Sequence, residues 1–309
     1  MAQIDIAKTA FAGFGLIARK PMAVAGWALF LLVVGILPVA LMIGPFMTTL
    51  FEFIDLAKAD IEPSKEQLAS FMSAMYMAHP VLWLTGLITR VMLTGAVFRA
   101  ILEPSAGRWA YLRLGMGEVM LAVVVIVLGI LIGLAAMVFM GVSAGITVAI
   151  WQASEAAAIG VGILLGVALV FGVIWALLRF SLAAPMSFAE RNFRLFESWS
   201  LTKGHAFNLL IVAILVAVVL ALLEAVVVTV FVVVVGSAAG VGVSSGALTE
   251  ETVRAFFDQP AATWMPLVAP WLALVGVVAS VLGAMALAIV TAPWAEAYRQ
   301  LNKGPEPGM

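Results

Sequence analysis

The sequence predicts an all-α integral membrane protein: six transmembrane helices arranged as three hairpins, with interfacial amphipathic helices on the cytoplasmic side. Three observations carry this prediction. Of 309 residues, 64% are hydrophobic and 11% charged, and the mean hydropathy is +1.17. A soluble domain is about half apolar and roughly a quarter charged, so a bilayer is the natural solvent for this chain. Six apolar runs reach the length of about 20 residues that crosses a bilayer core. The segments between them alternate between rich and poor in Lys and Arg, which sets orientation.

The first span, about residues 22–46, follows Lys8, Arg19 and Lys20. It is too long for the h-region of a signal peptide and is expected to be a retained helix. The other spans fall at about 78–100, 117–141, 159–180, 208–236 and 264–293. One basic set of flanking residues comprises Lys8, Arg19, Lys20, Arg99, Arg108, Arg113, Arg179, Arg191, Arg194, Lys203, Arg299 and Lys303. The opposite side holds Lys58, Lys65 and Arg254. Both termini are therefore expected in the cytoplasm. Trp83, Trp151 and Trp264 fall near the outer ends, and Trp109, Trp199 and Trp294 near the inner ends, where amphipathic rings favour the interface. Residues 1–303 read as a single six-helix domain and 304–309 as a flexible tail.

Two outer segments carry helix signals. Ser64-Lys65-Glu66-Gln67 has the spacing of a capping box, and Leu68, Phe71, Met72 and Met75 follow at helical intervals. This reads as a short amphipathic helix before the second span. Thr249-Glu250-Glu251 begins another, ended by Pro260.

The starts of spans 1, 3 and 5 are alike: ARKPMAVAG, YLRLGMGEV and SLTKGHAFN. Each sets a basic residue before a breaker (Pro21, Gly115, Gly204) and an apolar run. LAAPMSFAER and VTAPWAEAYR, at the ends of spans 4 and 6, share Ala-Pro and an arginine six residues after the proline, Arg191 and Arg299. Three repeated hairpins are the expectation. GAVFRAILEPSAGRWAYLRLG and RNFRLFESWSLTKGHAFNLL resemble the YciC-like polytopic bacterial inner-membrane proteins and the membrane domain attached to some glycerophosphodiester phosphodiesterases. In the fused relatives hydrolysis belongs to a separate barrel, for which this chain has neither room nor a histidine-glutamate metal motif. The resemblance implies a bacterial inner-membrane architecture and no catalytic activity.

Arg90, in GLITRVMLTG, lies deep in span 2, and Glu224, in LALLEAVVV, deep in span 5. An arginine at a helix centre costs roughly 2.5–3.5 kcal/mol on insertion scales. Three readings compete for Arg90: bonding to carbonyls or snorkelling within the bundle, pairing with Glu224, or lining a polar cavity for an anionic substrate. Gly129/Gly133, Gly162/Gly166 and Ala279/Gly283 are small-xxx-small steps that suit bundle packing or a homodimer face. Pro38, Pro45, Pro266 and Pro270 sit in or near spans, where they release carbonyls.

The inner belt of Arg108, Trp109, Arg113, Arg191, Arg194, Trp199, Lys203 and His205 suits contact with headgroups or a protein partner, with basic groups meeting phosphates between aromatic rings. The chain has no cysteine and only His79 and His205, which argues against thiolate catalysis and leaves little for a metal centre; no metal and no cofactor is expected. The net charge of −1 gives no pull toward nucleic acid. The reading is a non-enzymatic, lipid-associated or membrane-organising accessory of the bacterial envelope. Membrane lipids are its expected partners; an envelope protein partner and a homo-oligomer stay open. The alternative is a small transporter or lipid translocator using Arg90 and Glu224.

Overall fold

A computed structural model describes residues 4–39, 53, 56, 62–105, 108–238 and 261–302. The expected outer helix from Thr249 to Pro260, Pro45, Lys58, Arg254 and the 304–309 tail lie outside the described residues. The elements are α1 (Ile6–Ala10), α2 (Ala12–Arg19), α3 (Pro21–Phe30), α4 (Lys65–Leu102), α5 (Met116–Trp151), α6 (Glu155–Phe180), α7 (Ala183–Glu190), α8 (Glu197–Leu201), α9 (Ala206–Ala238) and α10 (Ala261–Asn302). A π-helical stretch, Leu31–Ile36, prolongs α3, and a 3-10 turn covers Arg108–Tyr111. No strand occurs among the described residues. Six segments are long and apolar enough to cross a membrane: Pro21–Val39, Lys65–Leu102, Met116–Trp151, Glu155–Glu190, Ala206–Thr229 and Ala273–Asn302. The chain is a multi-pass membrane protein.

Local chemistry explains the boundaries. The capping box forms: the Ser64 N–H donates to Gln67 Oε1 at 2.9 Å, and the Gln67 N–H donates to Ser64 Oγ at 3.2 Å. It does not start a separate short helix. It starts α4, which runs unbroken for 38 residues through Pro80 to Leu102. Residues 142–158, which separate the expected third and fourth spans, are also mostly helix. Ser143 and Thr147 do not end α5, because the Thr147 hydroxyl donates back to the Ser143 carbonyl at 2.9 Å and satisfies itself within the helix. Only Gln152–Ser154 separate α5 from α6, and Ser154 caps α6 by accepting from the Ala157 N–H at 3.3 Å. In α3, Pro38 has no N–H for the Val34 carbonyl, and the preceding turn widens: the Leu37 N–H reaches Leu32 O, a five-residue step.

The chain divides into two compact units. The first contains Met1–Leu16, Thr94–Val216 and Ile289–Met309. Its core joins Ile4, Leu178, Leu182, Met186, Leu209, Ala297 and Tyr298. A second cluster, Val124, Ala183 and Leu195, seats α7 beside α5. The N-terminal segment is tied to α10 by polar bonds, with the Asp5 N–H donating to Gln300 Oε1 at 2.8 Å.

The second unit contains Ile17–Leu93 and Ala217–Ala288. Here α3 lies against α10, and a Cβ at Gly283 would meet Leu31 Cδ2 at 2.7 Å. Gly276, Ser280, Ala284 and Ala288 recur every four residues along the buried side of α10. The close approach is thus at Gly283 of the expected Ala279/Gly283 pair, whose alanine is exposed, while a Cβ at Gly276 would make only ordinary contact with Leu32 at 3.5 Å. Among the described residues nothing lies within 4 Å of where a Cβ would stand on Gly129, Gly133 or Gly166, and Gly162 makes ordinary contact with Thr147.

Candidate functional site

The first unit concentrates its charge in one polar layer at the helix ends. Arg99 is in the last turn of α4 and Glu118 in the first turn of α5. Both are buried, with side chains 4% and 1% exposed, and they form a direct ion pair between Arg99 Nη2 and Glu118 Oε1. Their helix positions agree with the dipoles, a cation at a C-terminus and an anion at an N-terminus. Gly95 makes the approach possible: a Cβ there would stand 2.7 Å from Glu118 Oε1. Gly117 does the same for Phe188, whose ring and carbonyl would lie at 3.0 and 3.2 Å. The Arg99 guanidinium also sits 5.4 Å from the Phe188 ring centroid.

The loop between α4 and α5 is shaped by this arginine. Arg99 Nη1 donates to the Tyr111 carbonyl at 2.5 Å, and the Tyr111 hydroxyl donates to the Pro104 carbonyl at 3.1 Å. Ala110 and Tyr111 have φ of 56° and 63°, a left-handed conformation that non-glycine residues rarely adopt. Glu103 lies 4.0 Å from Arg99 Nε and 3.6 Å from Arg191 Nη2. Arg191 itself has φ of 54° and ends α7 as a left-handed cap.

A second cluster forms at the end of α6. The Arg179 carbonyl accepts from the Ser198 hydroxyl at 3.0 Å and the Thr202 hydroxyl at 3.2 Å, so α8 caps α6. The Arg179 guanidinium lies 4.7 Å from the centroid of Trp199. Trp175 meets Trp199 edge-on at 4.7 Å, and Phe180 is 5.4 Å from it. Beyond α7, Arg194 bridges two carboxylates, Glu190 at 2.9 Å and Glu197 at 3.0 Å. The Arg194 hydrogen bond holds the Glu197 carboxyl below its ordinary value, and Glu197 and Glu190 hold the Arg194 guanidinium above its own. Met186, Glu190, Arg194, Glu197, Ser200 and Leu201 line an open cleft of about 450 Å³.

The belt residues divide by environment. Arg113 and Lys203 are exposed, and Arg191 is largely so. Trp199 and His205 are half-buried, the first beneath Arg179 and the second at the start of α9. Arg194 is not a surplus cation, since Glu190 and Glu197 neutralise it. Arg108 and Trp109 lie in the 3-10 turn, and their side chains fall outside the described set. Arg90 and Glu224 are both exposed, on α4 and α9 of the second unit, and the structure does not bring them together as an ion pair.

Two residues of this layer escaped the sequence reading. Glu118 is the one acid within LGMGEVMLAVVV, in the first turn of the helix that follows the one Arg99 ends, and that shared depth was a usable signal. Arg179 counts as one more positive-inside residue until Trp199 is seen against it. Comparison with protein-family models, curated proteins and solved structures finds no match for the chain.

Proposed function

We propose that this chain is a non-enzymatic, lipid-associated protein of the bacterial inner membrane, a membrane-organising accessory of the envelope. Its six spans form three hairpins, its termini and the polar layer face the cytoplasm, and α1, α2 and α8 lie in the interface. The resemblance to the YciC-like proteins agrees with this reading. The observation that carries it is the pairing of exposed cations with exposed large apolar side chains in the first unit. Arg113 adjoins Leu114 and Met116, Arg191 precedes Phe196, and Lys203 precedes Phe207; these four apolar residues are 77%, 55%, 67% and 71% exposed. Phe11 and Phe14 extend the apolar rim. Such a surface suits headgroups: rings and aliphatic chains enter the acyl boundary while cations meet phosphates.

The test is thermal unfolding in nanodiscs of dioleoyl phosphatidylcholine with and without phosphatidylglycerol. The anionic lipid raises the midpoint of the wild type, and Arg113→Gln/Arg191→Gln/Lys203→Gln loses most of that rise. A midpoint independent of lipid charge in the wild type contradicts the reading.

A further inference from the structure

The cluster at the end of α6 holds a buried cation, Arg179. The Arg179 side chain is nine-tenths buried, and its Nε has no hydrogen-bond partner. Among the described residues no carboxylate pairs with it, whereas Arg99, Arg191, Arg194 and Arg299 each have a glutamate. A buried charge is costly unless it is paired and hydrogen-bonded. The Trp199 face and the carboxyl end of α6 offset part of that cost, but neither uses the N–H donors of the guanidinium fork.

The geometry points to Arg179 as a binding site for one phosphate group of an anionic membrane lipid. The inference rests on the reading of this end of the helices as the headgroup side. Two facts select a lipid phosphate. The guanidinium fork matches phosphate oxygens two at a time, which an ammonium cannot do. The site is walled by Trp175 and Trp199, one of them half exposed, and tryptophan is enriched at the depth of the headgroups. The α6–α8 cap is made by the Arg179 carbonyl, not its side chain, so the guanidinium is free for a ligand while the backbone stays fixed.

The experiment is native mass spectrometry of the full chain in neutral detergent. The probes are dioleoyl phosphatidylglycerol, dioleoyl phosphatidylcholine and inorganic phosphate. Wild type and the Arg113/Arg191/Lys203 glutamine variant should each retain a phosphatidylglycerol that survives activation stripping the other lipids. Arg179→Gln should weaken that retention about tenfold or more, the loss expected for a charge-assisted hydrogen-bonded contact. Unchanged hydrogen exchange over Ser198–Thr202 would establish that α8 remains docked in this variant. Arg179→Lys keeps the charge but not the fork and should fall between the two. If Arg179→Gln cannot be recovered folded, undiminished retention by Arg179→Lys overturns the proposal. Undiminished retention by folded Arg179→Gln overturns it as well, while the nanodisc result of the belt variant stands or falls separately. Displacement of the lipid by millimolar inorganic phosphate would make this a free-phosphate site and overturn the lipid assignment.

Discussion

The Arg99 guanidinium is buried against the Glu118 carboxylate, and the pair joins the end of α4 to the start of α5. The same guanidinium donates to the Tyr111 carbonyl, so one side chain fixes both the helix ends and the loop between them. Removing one partner leaves the other charge buried, at a cost of about 3–5 kcal/mol. Glu118→Leu is therefore expected to be poorly folded in detergent. Arg99→Met/Glu118→Leu should regain much of the loss but not all, because the Tyr111 carbonyl then lacks its donor, worth roughly 1–3 kcal/mol. Unfolding midpoints of both singles and the double test this as a cycle.

Glycines of the same helical class should respond oppositely. Gly95→Ala drives a methyl into Glu118, with Oε1 at 2.7 Å and Cγ at 2.9 Å, and overpacking of this kind costs about 1–3 kcal/mol. Gly129→Ala meets nothing within 4 Å, so the fold of the single chain should tolerate it. Detergent melting of the two variants side by side decides the point. Equal midpoints would contradict the packing described for Gly95.

The hydroxyl cap on α6 is separable from its charge. Ser198→Ala/Thr202→Val removes both donors to the Arg179 carbonyl, at about 1 kcal/mol for each bond. Hydrogen exchange should quicken in α8 and in the last turn of α6, with α5 unchanged.

Acid should release Arg194 by a known sign. The Glu197 carboxyl is held below its ordinary value by the Arg194 hydrogen bond. A depressed carboxylate contributes above the unfolded value, about 4.3 for glutamate, and that contribution disappears as pH falls through the lower folded value. The group is exposed, so the effect is small and screened by salt. Exchange over 194–201 should differ between wild type and Glu197→Gln at neutral pH and converge in acid. A constant difference across that window would show that the ion pair does not hold the segment.

The six spans were legible because hydropathy and length report the solvent directly, and the Ser64–Gln67 box because its partners are three residues apart. The third span is expected to end near residue 141, yet α5 runs on to Trp151, because Thr147 satisfies its hydroxyl inside the helix. Deep charges drew attention to Arg90 and Glu224, which the fold leaves exposed and unjoined to each other. The ion pair that the fold does bury, Arg99 with Glu118, lies at helix ends where charges look ordinary. No periodicity reveals that Gly95 clears the space for it, or that Gly117 clears space for Phe188.

The central claim is that the exposed cations and apolar side chains around the polar layer hold anionic headgroups. The most direct measurement is the composition of lipids that copurify with the chain from native membranes in a mild detergent, quantified by mass spectrometry. The account predicts enrichment of anionic lipid over the bulk membrane, reduced in Arg113→Gln/Arg191→Gln/Lys203→Gln. A bound pool matching the bulk membrane in the wild type, unchanged in that variant, would contradict it.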